Sequence, residues 1–470
     1  MVNKFLSLSA QKRAFLIIIA AGLVQAAYNA LLPIYVDEAY YWVWALRPEW
    51  SYYDHPAMTA WIIYPFTLIG DSEFTIRLST VLCMSVTAWY LFKSSYETAG
   101  ERAAFTVLFI FIFIPAVQMG YCFITPDSPL MMFWAMGMYY GFMALKEGKT
   151  RYFIIAGIAC GLMMLSKYTG ILFPVSLFIY LLVYRRDVFK DYRLYIALFI
   201  AAVLVIPIFY WNYQHDWISL KFQYNHGTSK GLTFAGWDFI GFVLGSLFVI
   251  PTPIFGYILI KYLWKRDYRD DKQALYFVFL TAIPMLFFFY KGIFKKMELN
   301  WIIPAFIAGT VLIVAAIIKY DMKQSYKYGL IFSIVLTLIL KISPILPVPP
   351  SLNIAERLLG YEEAVKIAQA YVKEGDIIYS DHLTTASMLT FYLKGHPPVH
   401  INVPSRFSQY TIWDKEEGYD GFDKEILYIG GKDWLKPFQE RYKEVITEGI
   451  VRVKPFNAKE KILYIYRCIP

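Results

Sequence analysis

The chain has 470 residues, 58% of them hydrophobic, 19% aromatic and only 17% charged, and its mean hydropathy is +0.44. Soluble domains carry about 45–50% apolar residues, so this composition excludes an ordinary soluble enzyme. The net charge of +9 does not make the chain a nucleic-acid binder either, because its Lys and Arg residues punctuate the ends of apolar runs and form no stripe that could follow a phosphate backbone.

The first apolar run, 14–34, has a basic flank and no convincing small-residue cleavage site, so it reads as a retained signal anchor. Further runs follow at 74–92, 103–119, 129–145, 152–165, 168–184, 194–213, 237–260, 273–290, 301–318 and 328–346. Many are near the roughly 20 residues that cross a 30 Å hydrocarbon core. The expected fold is a polytopic α-helical membrane protein of about 11–13 transmembrane helices, followed by a C-terminal α/β domain. The membrane body covers 1–347 and carries a wide loop at 35–73. From 348 to 470 the sequence turns charge-rich and has no spanning run. Short β-like stretches at 376–380, 399–403, 426–429, 450–453 and 462–466 alternate there with helical ones at 355–373 and 384–392.

Counting basic residues orients the chain. Loops on one side hold 20 Lys and Arg and those on the other hold 7. The positive-inside rule then puts the amino terminus in the cytoplasm and the C-terminal domain outside. Arg151 and Arg185-Arg186 both belong inside, so the stretch between them crosses twice, turning near Ser166-Lys167-Tyr168. With that choice Asp37, Glu38, Asp54, His55, Asp127, Lys167, Lys295, Lys296, Glu298 and Asn300 all fall on the outer face. Lys291, Lys295 and Lys296 violate the charge rule there, and an anionic ligand at the membrane surface would explain them.

Several short motifs lie on that face. Asp37-Glu38 leaves the first span and runs into Tyr40, Tyr41 and Trp42, aromatics that suit either an interfacial belt or stacking on a sugar or prenyl chain. Ionised groups beside hydrocarbon are costly to keep unless they are used. Tyr52-Tyr53-Asp54-His55-Pro56 can hydrogen-bond a phosphate or hold a divalent ion, or it can be a turn with an Asp cap before the amphipathic stretch 57–69. Thr125-Pro126-Asp127 also reads as ordinary helix-entry chemistry, and Lys167 as a lysine snorkelling to headgroups. Lys295-Lys296-Met297-Glu298-Leu299-Asn300-Trp301 combines bases, an acid and an aromatic. The cysteines Cys83, Cys122, Cys160 and Cys468 lack the paired spacing of a zinc or dithiol site.

At these motifs, together with Leu165-Ser166-Lys167-Tyr168 and Tyr379-Ser380-Asp381, the sequence resembles GT-C glycosyltransferases, in the branch of the lipid A aminoarabinose transferases and protein O-mannosyltransferases. It departs at Ala57, where a second proline is usual. The resemblance implies an inverting transfer of one sugar from a polyprenyl (undecaprenyl) phosphate to a hydroxyl of an envelope glycolipid or glycan such as lipid A. It places the enzyme in a bacterial inner membrane, with site and C-terminal domain periplasmic and membrane lipids around it. Asp37 is then the general base, with Glu38 and Asp127 as further acids of the catalytic set. His55, Lys167, Lys295 and Lys296 hold the donor phosphate, and Tyr41, Tyr53, Asp54, Tyr168, Glu298 and Asn300 bind substrate. No cofactor is required, although Asp54 and His55 leave a divalent metal open. A protein O-mannosyltransferase-like enzyme is one alternative. A lipid or solute transporter is another, which the scarcity of ionisable groups inside the spans disfavours. A structural subunit of an envelope complex is the third.

Overall fold

The structure is a computed structural model that describes residues 5–228, 235–346, 358–401, 403–419, 421–456 and 458–470. The expected domain boundary at 347/348 and the first residues of the expected helix at 355–373 lie outside the described residues. The chain separates into two compact units. The first comprises Met1–Ala30 and His55–Ile339, the second Leu31–Asp54 and Leu340–Pro470. The wide loop is thus split: its first part is folded with the C-terminal unit, a grouping that composition along the chain does not reveal.

The first unit is a helix bundle. Each of the eleven apolar stretches falls on helix, but six helices among the described residues are long and apolar enough to cross a membrane on their own, or seven if one bent pair counts as a span. The stretches 74–92 and 103–119 share a helical run, Glu73–Phe113, broken at Gly100, whose φ of 78° only glycine adopts without strain. The stretch expected as a single span at 237–260 is instead two helical pieces, Trp237–Val249 and Pro253–Lys265, bent by 95°. Proline at the start of the second piece has no N–H to continue the first.

The pair expected at 152–165 and 168–184 is present as Thr150–Ser166 and Leu172–Tyr184 with a short 3-10 turn between them. Lys167 is extended, and the chain doubles back so closely that a Cβ on Gly170 would lie 2.7 Å from the Met163 carbonyl. The Thr150–Ser166 helix also approaches Tyr192–Gln214 backbone to backbone. A Cβ on Gly157 would meet the Ala197 carbonyl at 2.5 Å, and one on Gly161 would meet Leu204 Cβ at 2.6 Å. This small-xxx-small spacing is how helices in lipid, which gain nothing from burying oil against oil, come close enough for dispersion to hold them.

The second unit contains a five-stranded sheet in the order β2-β1-β3-β5-β4, where β1 is Ile378–Tyr379, β2 Val399–His400, β3 Ile426–Gly430, β4 Glu444–Val453 and β5 Lys461–Ile469. β1 pairs in parallel with β2 and β3, and β5 runs antiparallel to β3 and β4. Every residue of β3 is buried, as expected of a strand covered on both faces. Leu383–Tyr392 connects β1 to β2, and its helix packs against Val36–Leu46 from the wide loop. Arg467 on β5 is held by Asp376 at 2.7 Å and Glu448 at 3.0 Å. None of the four cysteines forms a disulfide.

Candidate active site

Each unit holds one polar centre built from residues that the sequence singles out. In the helical unit the centre is Asp127. Pro126 caps the helix Asp127–Glu147, which places the carboxylate at its positive end. One carboxylate oxygen accepts from Lys167 Nζ at 2.7 Å and the other from Asn300 Nδ2 at 2.8 Å. The three residues come from three separate connections: a helix start, the extended residue after Ser166, and the 3-10 turn Leu299–Ile302. Asp127 does more than open a helix, and Lys167 does not snorkel. Both side chains are only 9% exposed, and they form a buried ion pair.

Around this pair Tyr168 shares a hydrogen bond with Ser219 at 2.7 Å. That contact ties the lysine turn to the strained corner Asp216-Trp217, where two successive non-glycine residues have positive φ. Lys295 is half-buried, whereas Lys296 and Glu298 are exposed. His55 is half-buried as well.

The second unit holds the acidic loop. Asp37 is half-buried in the first turn of Val36–Leu46. Glu38 is fully buried, and its Oε2 accepts the Tyr35 backbone N–H at 3.2 Å. A carboxylate that satisfies an orphan amide at a helix start acts as a cap, a structural role beside the catalytic one expected for Glu38. Tyr41 is buried, with its ring 5.0 Å from Trp44, so it builds the loop's aromatic core. Tyr53 is also buried. Its ring lies 4.8 Å from Phe407 and its N–H donates to Gln409 Oε1 at 2.9 Å.

Asp54 is 7% exposed, and it caps no helix. The following helix, Met58–Thr67, starts at Ala57 without a side-chain cap. Tyr40 donates to Asp54 Oδ2 at 2.9 Å and Arg406 donates to Oδ1 at 2.5 Å. Burial pushes the Asp54 carboxyl above its ordinary range; Arg406 and Tyr40 act against this, and the charge of Asp37 reinforces it. Each Asp54 oxygen thus accepts from one of these two donors. No group of three or more His, Cys, Asp or Glu able to hold a metal occurs among the described residues.

Arg406, Gln409, Glu49 and Trp413 escape sequence reasoning. Gln409 Nε2 and Trp413 Nε1 both donate to Glu49 Oε1, at 3.1 and 2.5 Å. Only the excess of polar groups in a loop beside a span hinted that partners had to exist.

Comparison with known proteins bears on the whole chain. The sequence profile described as dolichyl-phosphate-mannose-protein mannosyltransferase matches residues 54–211. A lipid A galacturonosyltransferase of Rhizobium johnstonii is 26% identical over 374 residues, covering 77% of this chain and 78% of that protein. An undecaprenyl phosphate-alpha-4-amino-4-deoxy-L-arabinose arabinosyl transferase of Proteus mirabilis is 25% identical over 280 residues, 56% of this chain and 49% of its own length. Among solved structures, ArnT from Cupriavidus metallidurans superposes in its apo state with a TM-score of 0.71 at 15% identity, covering 97% of this chain and 98% of that one. The same protein bound to undecaprenyl phosphate gives a TM-score of 0.70 at 15% identity, with 96% and 97% covered.

Proposed function

We propose that this chain, a membrane glycosyltransferase of the GT-C fold, moves a single sugar from a polyprenyl phosphate to a hydroxyl of a cell-envelope glycolipid such as lipid A. The observation that carries the reading is the 26% identity to a lipid A galacturonosyltransferase across 78% of its length. The half-buried acid Asp37 and the buried cation Lys167 are the kinds of group such a transfer needs.

An alcohol is a poor nucleophile, so a carboxylate within hydrogen-bond reach must take its proton as attack proceeds. Asp37 is assigned that role by the resemblance of its motif, and its side chain is half-buried at the start of the helix Val36–Leu46, while the Glu38 carboxylate accepts the Tyr35 N–H. As the acceptor oxygen bonds to the anomeric carbon, the bond from that carbon to the phosphate oxygen breaks, and the electron pair leaves with the lipid phosphate. The sugar is inverted by this in-line displacement. The charge that develops on the phosphate calls for preorganised cations and hydrogen-bond donors, and Lys167, Lys295 and Lys296, with His55, are assigned to it. Lys167 donates one bond to Asp127, and an ammonium has three to give. Asp127 and Asn300 hold that lysine in position. Tyr168, Tyr53, Asp54 and Glu298 complete the substrate-binding set. The charge bias of the loops supports a reaction on the outer face of a bacterial inner membrane, with the C-terminal unit on the same side.

The test is to incubate the purified chain in lipid with undecaprenyl phosphate carrying a uronic acid or an aminopentose, with lipid A as acceptor, and to read the products by mass spectrometry. The expected outcome is a lipid A heavier by one sugar, with one undecaprenyl phosphate released per transfer. Transfer only to Ser or Thr of a protein acceptor would favour the mannosyltransferase reading that the profile description carries. Absence of product with every donor and acceptor would remove the proposal.

A further inference from the structure

The wide loop owes its shape to a short segment that lies some 350 positions later in the chain. Tyr40 stands one turn after Asp37 on the helix Val36–Leu46, and Asp54 closes the loop. Tyr40 donates to Asp54, and its oxygen accepts the Gln409 backbone N–H at 2.9 Å. The Tyr40 ring stacks on Tyr410 at 5.9 Å. Gln409 reaches both the Tyr53 N–H and Glu49, so three points of the loop converge on one residue. Arg406 completes the set by binding the Asp54 oxygen that Tyr40 leaves open.

We infer that Arg406 is a positioning residue for the transfer reaction: with Tyr40 as the second jaw it clamps the buried Asp54 carboxylate, and so fixes the helix that presents Asp37. The inference rests on the proposed role of Asp37 as base. A carboxylate is acceptor-only, so its placement follows its donors. Here one donor lies on the Asp37 helix and the other on the C-terminal segment. The Arg406 side chain is 56% exposed and Asp54 10%, which separates positioning from bulk stability. Arg406→Gln keeps an N–H donor of similar reach for the buried carboxylate, so Asp54 is not stranded without a hydrogen bond, whereas a misplacement of about 1 Å at a reacting group can cost about 100-fold in rate.

The experiment compares Arg406→Gln, Arg406→Lys, Asp54→Asn and the Arg406→Gln/Asp54→Asn pair in the full-length protein, measuring kcat, donor KM and the melting temperature. Arg406→Gln should lower kcat by about 10- to 100-fold, with donor KM and melting temperature close to wild type. Arg406→Lys, which keeps a cation, should recover part of the loss. If Arg406 acts through Asp54, removing it from the Asp54→Asn protein should cost nothing more, because the two losses share one contact. An unaltered kcat in Arg406→Gln, a fall in melting temperature that tracks the fall in rate, or losses that add in the double variant would each overturn the clamp. Asp37→Asn is measured in parallel to keep the two ideas apart. If it stays active, the base assignment fails. If it is dead while Arg406→Gln is fully active, the clamp alone fails.

Discussion

Lys167 Nζ lies 2.7 Å from Asp127 Oδ1, and each side chain is 9% exposed. A buried pair of this kind costs more to break than it contributed on forming, because losing one partner strands the other's charge away from water. Lys167→Met or Asp127→Leu alone should therefore destabilise the protein by about 3–5 kcal/mol. The Lys167→Met/Asp127→Leu double variant should regain much of the loss, since no buried charge remains. Melting curves in detergent decide it, and a double variant worse than the sum of the singles would mean the pair is not a closed charge unit.

Asp37→Asn keeps the size of the side chain and removes its ability to accept a proton. Transfer should fall by about 100- to 10,000-fold, the usual worth of a general base, while expression and donor binding persist. Rates with purified donor and lipid A check this. Near-normal turnover would transfer the base role elsewhere.

Glu38 separates capping from catalysis. Glu38→Gln retains an oxygen for the Tyr35 N–H, so most of the transfer rate should remain. Glu38→Ala should lose about 1 kcal/mol of stability through the missing cap. A Gln variant as inactive as Asp37→Asn would place Glu38 in the catalytic set.

Gly157 faces the Ala197 carbonyl, where backbone cannot yield as a side chain can. Gly157→Leu should separate the two helices, at a cost of about 1–3 kcal/mol. Gly100→Ala should act differently, since a Cβ at Gly100 meets nothing and its penalty comes from the backbone angle alone. Thermal stability of the two variants distinguishes crowding from backbone strain.

Asp376 sets an acid limit on the C-terminal unit. Burial would raise its carboxyl, but the Arg467 guanidinium and the Lys373 N–H overcome this and hold it below the ordinary range. The folded value is thus under the unfolded one, so the stabilisation is complete above the unfolded value of about 3.9. It is lost as pH falls through the lower, folded value. Asp376→Asn should be less stable at neutral pH and show a shallower loss of melting temperature below about pH 4. Parallel acid profiles for variant and wild type would exclude Asp376 as the cause.

The sequence exposes what local patterns encode. Apolar runs located the helices, short β-like stretches located β1 to β5, and charge bookkeeping grouped Asp127, Lys167 and Asn300, which the structure joins through one carboxylate. Remote partners leave no such local pattern. Nothing near Asp54 announces Arg406, because an ion pair between residues 352 positions apart leaves no periodicity. The capping bond of Glu38 is illegible for a related reason: an acid at a helix start serves equally as cap or as base, and its burial and its bond to Tyr35 appear only in the fold. The bend within 237–260 was hidden because its two halves are equally apolar.

The dependence of the wide loop on Arg406 and Gln409 also has a consequence in time. Tyr40 emerges 369 residues before Gln409, and Asp54 emerges 352 before Arg406. At a synthesis rate of about 5–20 residues per second, the loop waits roughly 20–70 s without the groups that order it. Its two buried acids must stay in water through that interval. The hydrogen-bond partners of the loop are thus supplied by the last quarter of translation rather than the first.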